Sequence, residues 1–259
     1  MKNWLLVFFV AGVLTASGWY ISRDKSSQIL SGQEPGSQAV VLPILADSAD
    51  DAKTAAPDNS TKNDLLKAQA LEIVSRPVSV KIQISDSSRK NTLAKLDELI
   101  KLIKDNYDYV NAWYDLGAYR MVIGDYDGAV DAYKFVALIK PGDYVGYANL
   151  GDIYANYLKN YSLAEENFLK AVKNNPAYVS GYADLAGLYE KYFDDGLQKA
   201  ENLFLSGIRL NADNLYLKIK LAEFYDRNDK KSAALALFRE VLALDPSNKS
   251  VQEEIIRLQ

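Results

Sequence analysis

Apolar residues between positions 110 and 248 recur with the spacing of amphipathic helices. In the stretches around Leu116 and Leu150, apolar side chains lie three or four positions apart, so they share one face of a helix. Gly117 and Gly151 follow these leucines directly, at the point where two helices must approach closely. The pattern predicts a succession of short helices that pack together through one apolar face each.

Three markers recur in a fixed order along this stretch: a leucine followed by a small residue, an alanine, and an aromatic residue four positions after that alanine. The leucines are Leu116, Leu150, Leu185 and Leu221, with spacings of 34, 35 and 36 residues. The later pairs are Ala129 with Tyr133, Ala164 with Phe168, Ala200 with Phe204, and Ala234 with Phe238. One such unit is too small to bury its own apolar face, so we expect the helix–turn–helix units to stack.

The first unit resembles the tetratricopeptide repeat. The residues that carry the resemblance are Trp113, Leu116, Gly117, Gly124, Asp125, Tyr126, Ala129, Tyr133 and Pro141. Four copies cover residues 110–248, with one extra residue in the second turn, two in the third, and Lys218 at the aromatic opening position of the fourth. The resemblance implies an all-α fold, a right-handed α-solenoid of about four helix–turn–helix repeats.

Both ends of the repeat region have sequences typical of capping helices. Residues 91–109 are predicted to form a partial repeat, with an amphipathic helix over about 91–105. At the other end, residues 249–259 are predicted to form a capping helix. Its expected apolar face consists of Val251, Ile255, Ile256 and Leu258.

The N-terminus contains a run of 18 uncharged residues from Trp4 to Ile21. A run of about 18–20 apolar residues is long enough to span a bilayer as a helix. Residues 1–21 are therefore predicted to be a membrane anchor of a single-pass protein, with the repeats on the extracytoplasmic side. Two alternatives stay open: a signal peptide cleaved near Ala16-Ser17-Gly18, which would release a secreted protein, and an anchor with a cytoplasmic C-terminus.

Residues 22–90 are predicted to be a flexible, largely disordered linker, because residues 22–59 are rich in Ser, Gln, Asp, Ala, Pro and Gly. Three segments break this pattern. Residues 39–45 are apolar and could be a loosely packed segment or a docking strand, residues 61–74 have weak helical character, and residues 78–84 alternate in the manner of a short strand.

The composition excludes several kinds of site. The chain has no Cys and no His, which rules out thiol nucleophiles, serine–histidine triads and the usual zinc sites. Its formal charge of −4, without a large basic block, makes nucleic acid an improbable partner. The acidic segments at Asp125 and Asp195 are better explained as turns than as calcium loops. We therefore expect no cofactor, no metal and no catalysis.

The resemblance implies that the first helix of each unit lines a concave groove that binds a partner. The candidate residues are Asn111, Tyr114, Asp115, Asn149, Asp152, Asn156, Asp184, Glu190, Lys191, Tyr216 and Glu223. Acidic side chains outnumber basic ones in this set. One hypothesis is an extended peptide whose Lys or Arg side chains face Asp115, Asp152 and Asp184, with Asn149 and Asn156 bonded to its backbone. The alternative is that these carboxylates form only a solvated face.

These expectations converge on a membrane-tethered scaffold that binds a protein or peptide without catalysis. A second hypothesis is a structural component of an envelope complex that assembles with itself, as a homo-oligomer. A third, of another class, is a hydrolase that uses carboxylates alone. The family resemblance does not identify the partner, because the same scaffold carries many functions.

Overall fold

The computed structural model describes residues 59–259, which belong to two compact units, one ending at Asn160 and one of Tyr161–Gln259. Eleven helices and no strand occur in these residues, which confirms the all-α prediction for them. The predicted anchor, the rest of the linker before residue 59 and the apolar segment 39–45 lie outside the described residues. Across positions 59–259 we find no helix with the length and hydropathy needed to traverse a bilayer.

Unit 1 contains five described helices, and each packs against its neighbour in the chain. They are α1 (Asn59–Ser75), α2 (Asp86–Asp105), α3 (Val110–Val122), α4 (Tyr126–Ile139) and α5 (Tyr144–Asn156). The core lies between α1, α2, α3 and α4 and is centred on Trp113 and Phe135, whose ring centroids are 4.2 Å apart. The indole nitrogen of Trp113 donates a hydrogen bond of 2.7 Å to the carbonyl of Tyr107, so the buried ring keeps its polar atom satisfied.

The turn between α3 and α4 requires a glycine. Gly124 has φ = +75°, a left-handed conformation that side chains rarely adopt. The side chain of Ile82 lies against Gly124, so that a Cβ at this position would stand 2.6 Å from Cγ2 of Ile82. Asp125 then caps α4, where its carboxylate accepts a hydrogen bond of 3.3 Å from the backbone N–H of Gly128.

The structure differs from the predicted linker of residues 22–90 after residue 58. The whole weakly helical segment belongs to α1, which is held because Ala70 and Val74 are buried against the unit 1 core. Helix α2 begins at Asp86, five residues before the predicted capping helix, where the Ser85 hydroxyl accepts a hydrogen bond from the N–H of Ser88.

The predicted strand over residues 78–84 is wrong. Residues 76–85, here called the strap, form neither helix nor strand, and the chain bends at Arg76 and Ile82. Val78, Val80 and Ile84 pack on the unit 1 core, and the N–H of Lys81 donates to the carbonyl of Ile123 at 2.8 Å. The alternation therefore reflects an irregular segment that packs alternate side chains against helices.

The strap is also held by charge. The guanidinium of Arg76 is paired with Asp131 on α4, and the ammonium of Lys81 lies 3.1 Å from Asp127 and 3.4 Å from Asp125. Asp125 in turn accepts a hydrogen bond from Arg120, which is fully buried. The strap, α3 and the start of α4 are thereby joined by one chain of ion pairs.

Unit 2 contains six helices that pack in sequence order. They are α6 (Tyr161–Asn174), α7 (Val179–Tyr192), α8 (Gly196–Leu210), α9 (Leu215–Arg227), α10 (Lys231–Leu244) and α11 (Lys249–Leu258). Helix α11 packs on α10 through Val251, Ile255 and Leu258. Ile256, which was expected on the same apolar face, is 72% exposed and therefore does not contribute to that contact.

Candidate partner-binding face

The six candidate residues of unit 1 lie on α3 and α5, the two helices that flank α4. This set is called the first-helix face of unit 1. Asn111, Asp115 and Asn156 are exposed, whereas Tyr114, Asn149 and Asp152 are half-buried. The face is therefore polar, partly accessible to solvent, and backed by the α4 side chains that pack between the two helices.

Tyr133 of α4 reaches this face from beneath. The end of its ring packs against Gly117 of α3, where a Cβ would stand 2.6 Å from Cζ. Its backbone carbonyl lies close to Gly146 of α5. Glycine at position 117 therefore allows the ring to pack directly against α3. Burial raises the pKa of Tyr133, and the negative charges of Asp152 and Asp115 raise it further, so both carboxylates lie near the hydroxyl.

Asp115 and Asp152 lack a cationic partner within the described part of the chain. Neither forms an ion pair there, and burial raises the pKa of each carboxyl above its usual range. The one hydrogen bond to Asp152 is donated by the amide nitrogen of Asn156 at 2.7 Å, and it lowers the Asp152 pKa against the effect of burial. These two carboxylates thus carry charge that the described residues of unit 1 do not neutralise.

The two asparagines expected to bond a peptide backbone are engaged within their own helix. Asn149 donates to the carbonyl of Val145 at 2.9 Å, and Asn156 donates to Asp152. Each amide group has a second N–H and a carbonyl oxygen, so each retains capacity for a further bond. In this structure the Asn156 contact orients the Asp152 carboxylate, which is a different role from the predicted one.

The aromatic residues around the face divide into buried and exposed rings. Burial raises the pKa of Tyr114, and the nearby charge of Asp143 adds to the effect. Tyr126 and Tyr157 form a tilted pair with centroids 4.5 Å apart. Burial and then the charge of Asp152 raise the pKa of Tyr157, so this ring pair lies next to Asp152.

The candidate residues of unit 2 have partners within the unit. Glu190 on α7 accepts two hydrogen bonds from Arg227 on α9, at 2.9 and 3.3 Å, and a third from Asn228. Glu223 is paired with Lys220 at 2.8 Å. The predicted excess of negative charge is thereby largely neutralised on this unit.

The remaining candidates of unit 2 contact neighbouring aromatic rings. Asp184 lies 3.4 Å from the hydroxyl of Tyr178. The ammonium of Lys191 lies 5.1 Å from the ring centroid of Tyr192, and that of Lys220 lies 5.5 Å from Tyr216. The charged groups of Asp184, Lys191 and Lys220 therefore contact aromatic residues of the same unit.

Two other features of the described residues do not form a second site. An open pocket between α1 and α4 is lined by Gln69, Glu72, Ile73, Arg76, Asp131 and Lys134, and the Arg76–Asp131 pair already occupies its charged wall. In residues 59–259, no group of three or more acidic side chains is arranged to hold a metal ion. The carboxylate of Asp125, predicted to lie in a turn, accepts hydrogen bonds from Arg120 and from the N-terminus of α4 and forms an ion pair with Lys81.

Tyr133 was not predicted to belong to the face, because it occupies a packing position of the repeat. The signal that could have identified it is Gly117, since a residue without a side chain on α3 leaves room for the end of the Tyr133 ring. The ion pair between the buried Arg120 and Asp125 was not predicted either. A charged residue on the apolar side of α3, five positions before an aspartate, was the available indication.

Three solved structures show the degree of similarity to known folds. MamA from residue 41 to its end, of Desulfovibrio magneticus RS-1, is 20% identical, with a TM-score of 0.47 over 72% of this chain and 97% of that one. The pilF protein of Pseudomonas aeruginosa is 15% identical, with a TM-score of 0.49 over 76% and 84%. YrrB, a TPR protein with an unusual peptide-binding site, is 15% identical, with a TM-score of 0.46 over 64% and 84%. No curated protein matches the chain significantly.

A family model gives the assignment at the level of one repeat. The model described as Tetratricopeptide repeat matches residues 145–178, which begin in α5 and end at the turn before α7. This segment contains the second leucine–glycine, alanine and aromatic markers and the closing proline. Residues 145–178 therefore match the tetratricopeptide repeat model, which supports the resemblance inferred from the spacing of the markers for the second of the four predicted repeats.

Proposed function

We propose that this chain is a non-catalytic scaffold for protein–protein interaction, tethered to a membrane by residues 1–21. Its helices follow one repeat pattern, and one copy of that pattern matches the tetratricopeptide repeat. A stack of such units presents an extended surface for a protein or peptide, which is the usual function of solenoid repeats. The proposal places the partner on the first helices of the repeats.

The observation that carries this proposal is the first-helix face of unit 1. Its exposed and half-buried polar side chains include two carboxylates without an ion pair in the described residues. A polar surface whose charges are not used for intrachain packing is available for a partner. The chain also has neither His nor Cys, the side chains most often used as acid–base catalysts and thiol nucleophiles.

The tether is proposed from the sequence of Trp4 to Ile21, 18 residues without a charge. A helix of this length approaches the roughly 30 Å thickness of a hydrocarbon core. Fractionation of cells that produce the full chain, with the mature N-terminus determined by mass spectrometry, tests this part. An intact N-terminus in the membrane fraction supports the anchor, whereas a mature protein that begins after residue 18 and is soluble supports the signal peptide.

Site-specific photocrosslinking in living cells tests the scaffold. A photoreactive amino acid at Asn111 or Asn156, both exposed on the face, should capture a defined partner. Matched positions are Glu98 on α2 and Lys134 on α4, which are also exposed but lie on other helices and should capture none. Capture of the chain itself would support self-assembly, and equal capture at all four positions would contradict a partner-binding face.

A further inference from the structure

We infer that the first-helix face of unit 1 binds a cationic segment of its partner, with an Arg or Lys side chain seated between Asp115, Asp152 and the hydroxyl of Tyr133. The inference rests on the proposed function, because it assigns a ligand chemistry to the same face. The partner is a protein or peptide whose extended segment carries these side chains.

The groups on the face complement a ligand rich in hydrogen-bond donors. The two ionised carboxylates only accept hydrogen bonds, and the Tyr133 hydroxyl can accept one as well as donate one. Asp152 is half-buried and held by Asn156 at 2.7 Å, so its carboxylate is oriented before a ligand arrives. A guanidinium or ammonium group supplies both the positive charge and the N–H donors that this arrangement lacks.

The Tyr133 hydroxyl supports the same assignment independently of the carboxylates. The residue is 2% exposed, and its hydroxyl forms no hydrogen bond among the described residues. The ring approaches the face over Gly117, with its hydroxyl-bearing end closest to α3. A tyrosine hydroxyl that is not bonded within the described residues can donate a hydrogen bond to a ligand or accept one from it. The hydroxyl therefore points to a polar ligand at this position.

The aromatic rings beside Asp152 also favour a cationic ligand. Tyr126 and Tyr157 lie 4.5 Å apart, and Tyr157 remains 38% exposed. A cation near the face of an aromatic ring is attracted by the negative charge of the π system. A second basic side chain of the same segment can therefore lie against this ring pair.

The corresponding positions of unit 2 do not have these properties. Glu190 is bonded to Arg227, and Glu223 to Lys220, so a basic ligand would have to displace a cation that the unit already supplies. We therefore limit the cationic site to unit 1. Of the three carboxylates predicted to face a basic peptide, Asp115 and Asp152 belong to this site and Asp184 does not.

Binding of a defined probe to the full chain in detergent micelles tests the inference. The probe is a fluorescent peptide of alternating Arg and Ala, and its matched counterpart is a peptide of alternating Glu and Ala. Fluorescence anisotropy should show saturable binding of the first and none of the second. Binding should weaken as salt is added, because screening reduces attraction between partly exposed charges.

Two variants remove the proposed contacts without removing bulk. Asp115→Asn combined with Asp152→Asn should raise the Kd of the Arg peptide about tenfold, since exposed or half-buried ion pairs are each worth up to about a factor of five. Tyr133→Phe keeps the ring and should raise the Kd about two- to tenfold. The control is Asp97→Asn combined with Asp105→Asn, which changes net charge equally at exposed positions of α2.

The outcomes separate this inference from the proposed function. An unchanged Kd in the Asp115/Asp152 variant, or an equal loss in the Asp97/Asp105 control, would overturn the cationic site. Failure of the Arg peptide to bind while crosslinking at Asn111 captures a partner would overturn the site and leave the scaffold intact. Failure of both would overturn the scaffold as well. Unchanged circular dichroism and unfolding midpoints exclude misfolding as the cause of a loss.

Discussion

Units 1 and 2 follow the same spacing of apolar markers but place their charges differently. Unit 1 buries the Arg120–Asp125 pair and leaves Asp115 and Asp152 without a cation in the described residues. Unit 2 joins its helices near the surface, through pairs such as Glu190–Arg227 and Glu201–Lys230. The markers thus determine where helices form. The residues between the markers determine whether charged side chains pair within the unit or remain available to a partner.

The largest expected effect comes from breaking the buried pair of unit 1. Asp125→Ala leaves Arg120 buried without its counterion and should cost about 3–5 kcal/mol of unfolding free energy. Urea unfolding can be followed by the fluorescence of Trp113 in a chain that also carries Trp4→Phe and Trp19→Phe, because the sequence has three tryptophans. A midpoint equal to that of the parent chain would contradict this assignment.

A double replacement separates the lost charge from the lost cap. Arg120→Met together with Asp125→Ala removes both charges, so most of the stability should return. A residual loss of about 1 kcal/mol is expected, because the Asp125 cap on the Gly128 N–H is also removed.

The second prediction compares two glycines in first helices. Gly117→Ala brings a Cβ to 2.6 Å from Cζ of the Tyr133 ring, and such overpacking should cost about 1–3 kcal/mol. Gly187→Ala in α7 meets nothing within 4 Å and should stabilise the helix by about 0.5–1 kcal/mol. Thermal unfolding of both variants checks the pair, and shifts in the same direction would show that the Tyr133 contact is misplaced.

The third prediction concerns the surface pairs of unit 2. Glu190→Gln removes the charge that accepts two bonds from Arg227, but Arg227 is 53% exposed in its side chain. The loss should therefore be at most about 1 kcal/mol and should shrink as salt is added. Urea unfolding followed by circular dichroism is the measurement, and a loss as large as that of Asp125→Ala would remove the contrast between the units.

The smallest expected effects are those of pH, and they have opposite signs in the two units. The hydrogen bond from Lys230 lowers the pKa of Glu201, against the effect of burial. The ionised Glu201 therefore contributes its full stabilisation above the ordinary Glu pKa, and this stabilisation is lost as the pH falls through the lowered pKa. Burial raises the pKa of Asp152, so ionising this group opposes folding and the chain gains stability as the pH falls.

Two amide variants test these signs. Glu201→Gln should be destabilised at neutral pH and equal to the parent chain in acid, whereas Asp152→Asn should be as stable as the parent or more so at neutral pH. Both differences should be below about 1 kcal/mol, because both groups are partly solvated. Unfolding midpoints measured across the acid range provide the comparison, and a destabilised Asp152→Asn would contradict the raised pKa.

The helical elements of the repeats could be predicted because their markers are local. Leucine, glycine, alanine and aromatic positions within one unit determine which faces are apolar, and α3 and α4 lie where the spacing of Leu116, Ala129 and Tyr133 places them. The right-handed arrangement of the whole stack stays a prediction, as do the anchor and its orientation.

The strap and the ion pairs could not be predicted in the same way. Whether Val78 and Val80 belong to a strand depends on a partner strand, and the helices that cover them lie far along the sequence. Similarly, nothing local indicates that Glu190 bonds to Arg227, whereas Asp152 has no bonding partner other than Asn156 among residues 59–259. A pair separated by 37 residues forms only because of how the helices pack, and the composition of either segment does not reveal that packing.

The strap also affects the order in which unit 1 can fold. Its contacts join residues separated by 55 positions, from Arg76 to Asp131, and by 46, from Lys81 to Asp127. In unit 2 the pairs Glu201–Lys230 and Glu190–Arg227 span 29 and 37 positions, about one repeat. Since contacts that close longer loops form more slowly, α1 and the strap should dock after α3 and α4 have paired. The helices of unit 2 can pack one after another along the chain. The described part of unit 1 is complete only when α1 and the strap have docked on the surface that α3 and α4 form.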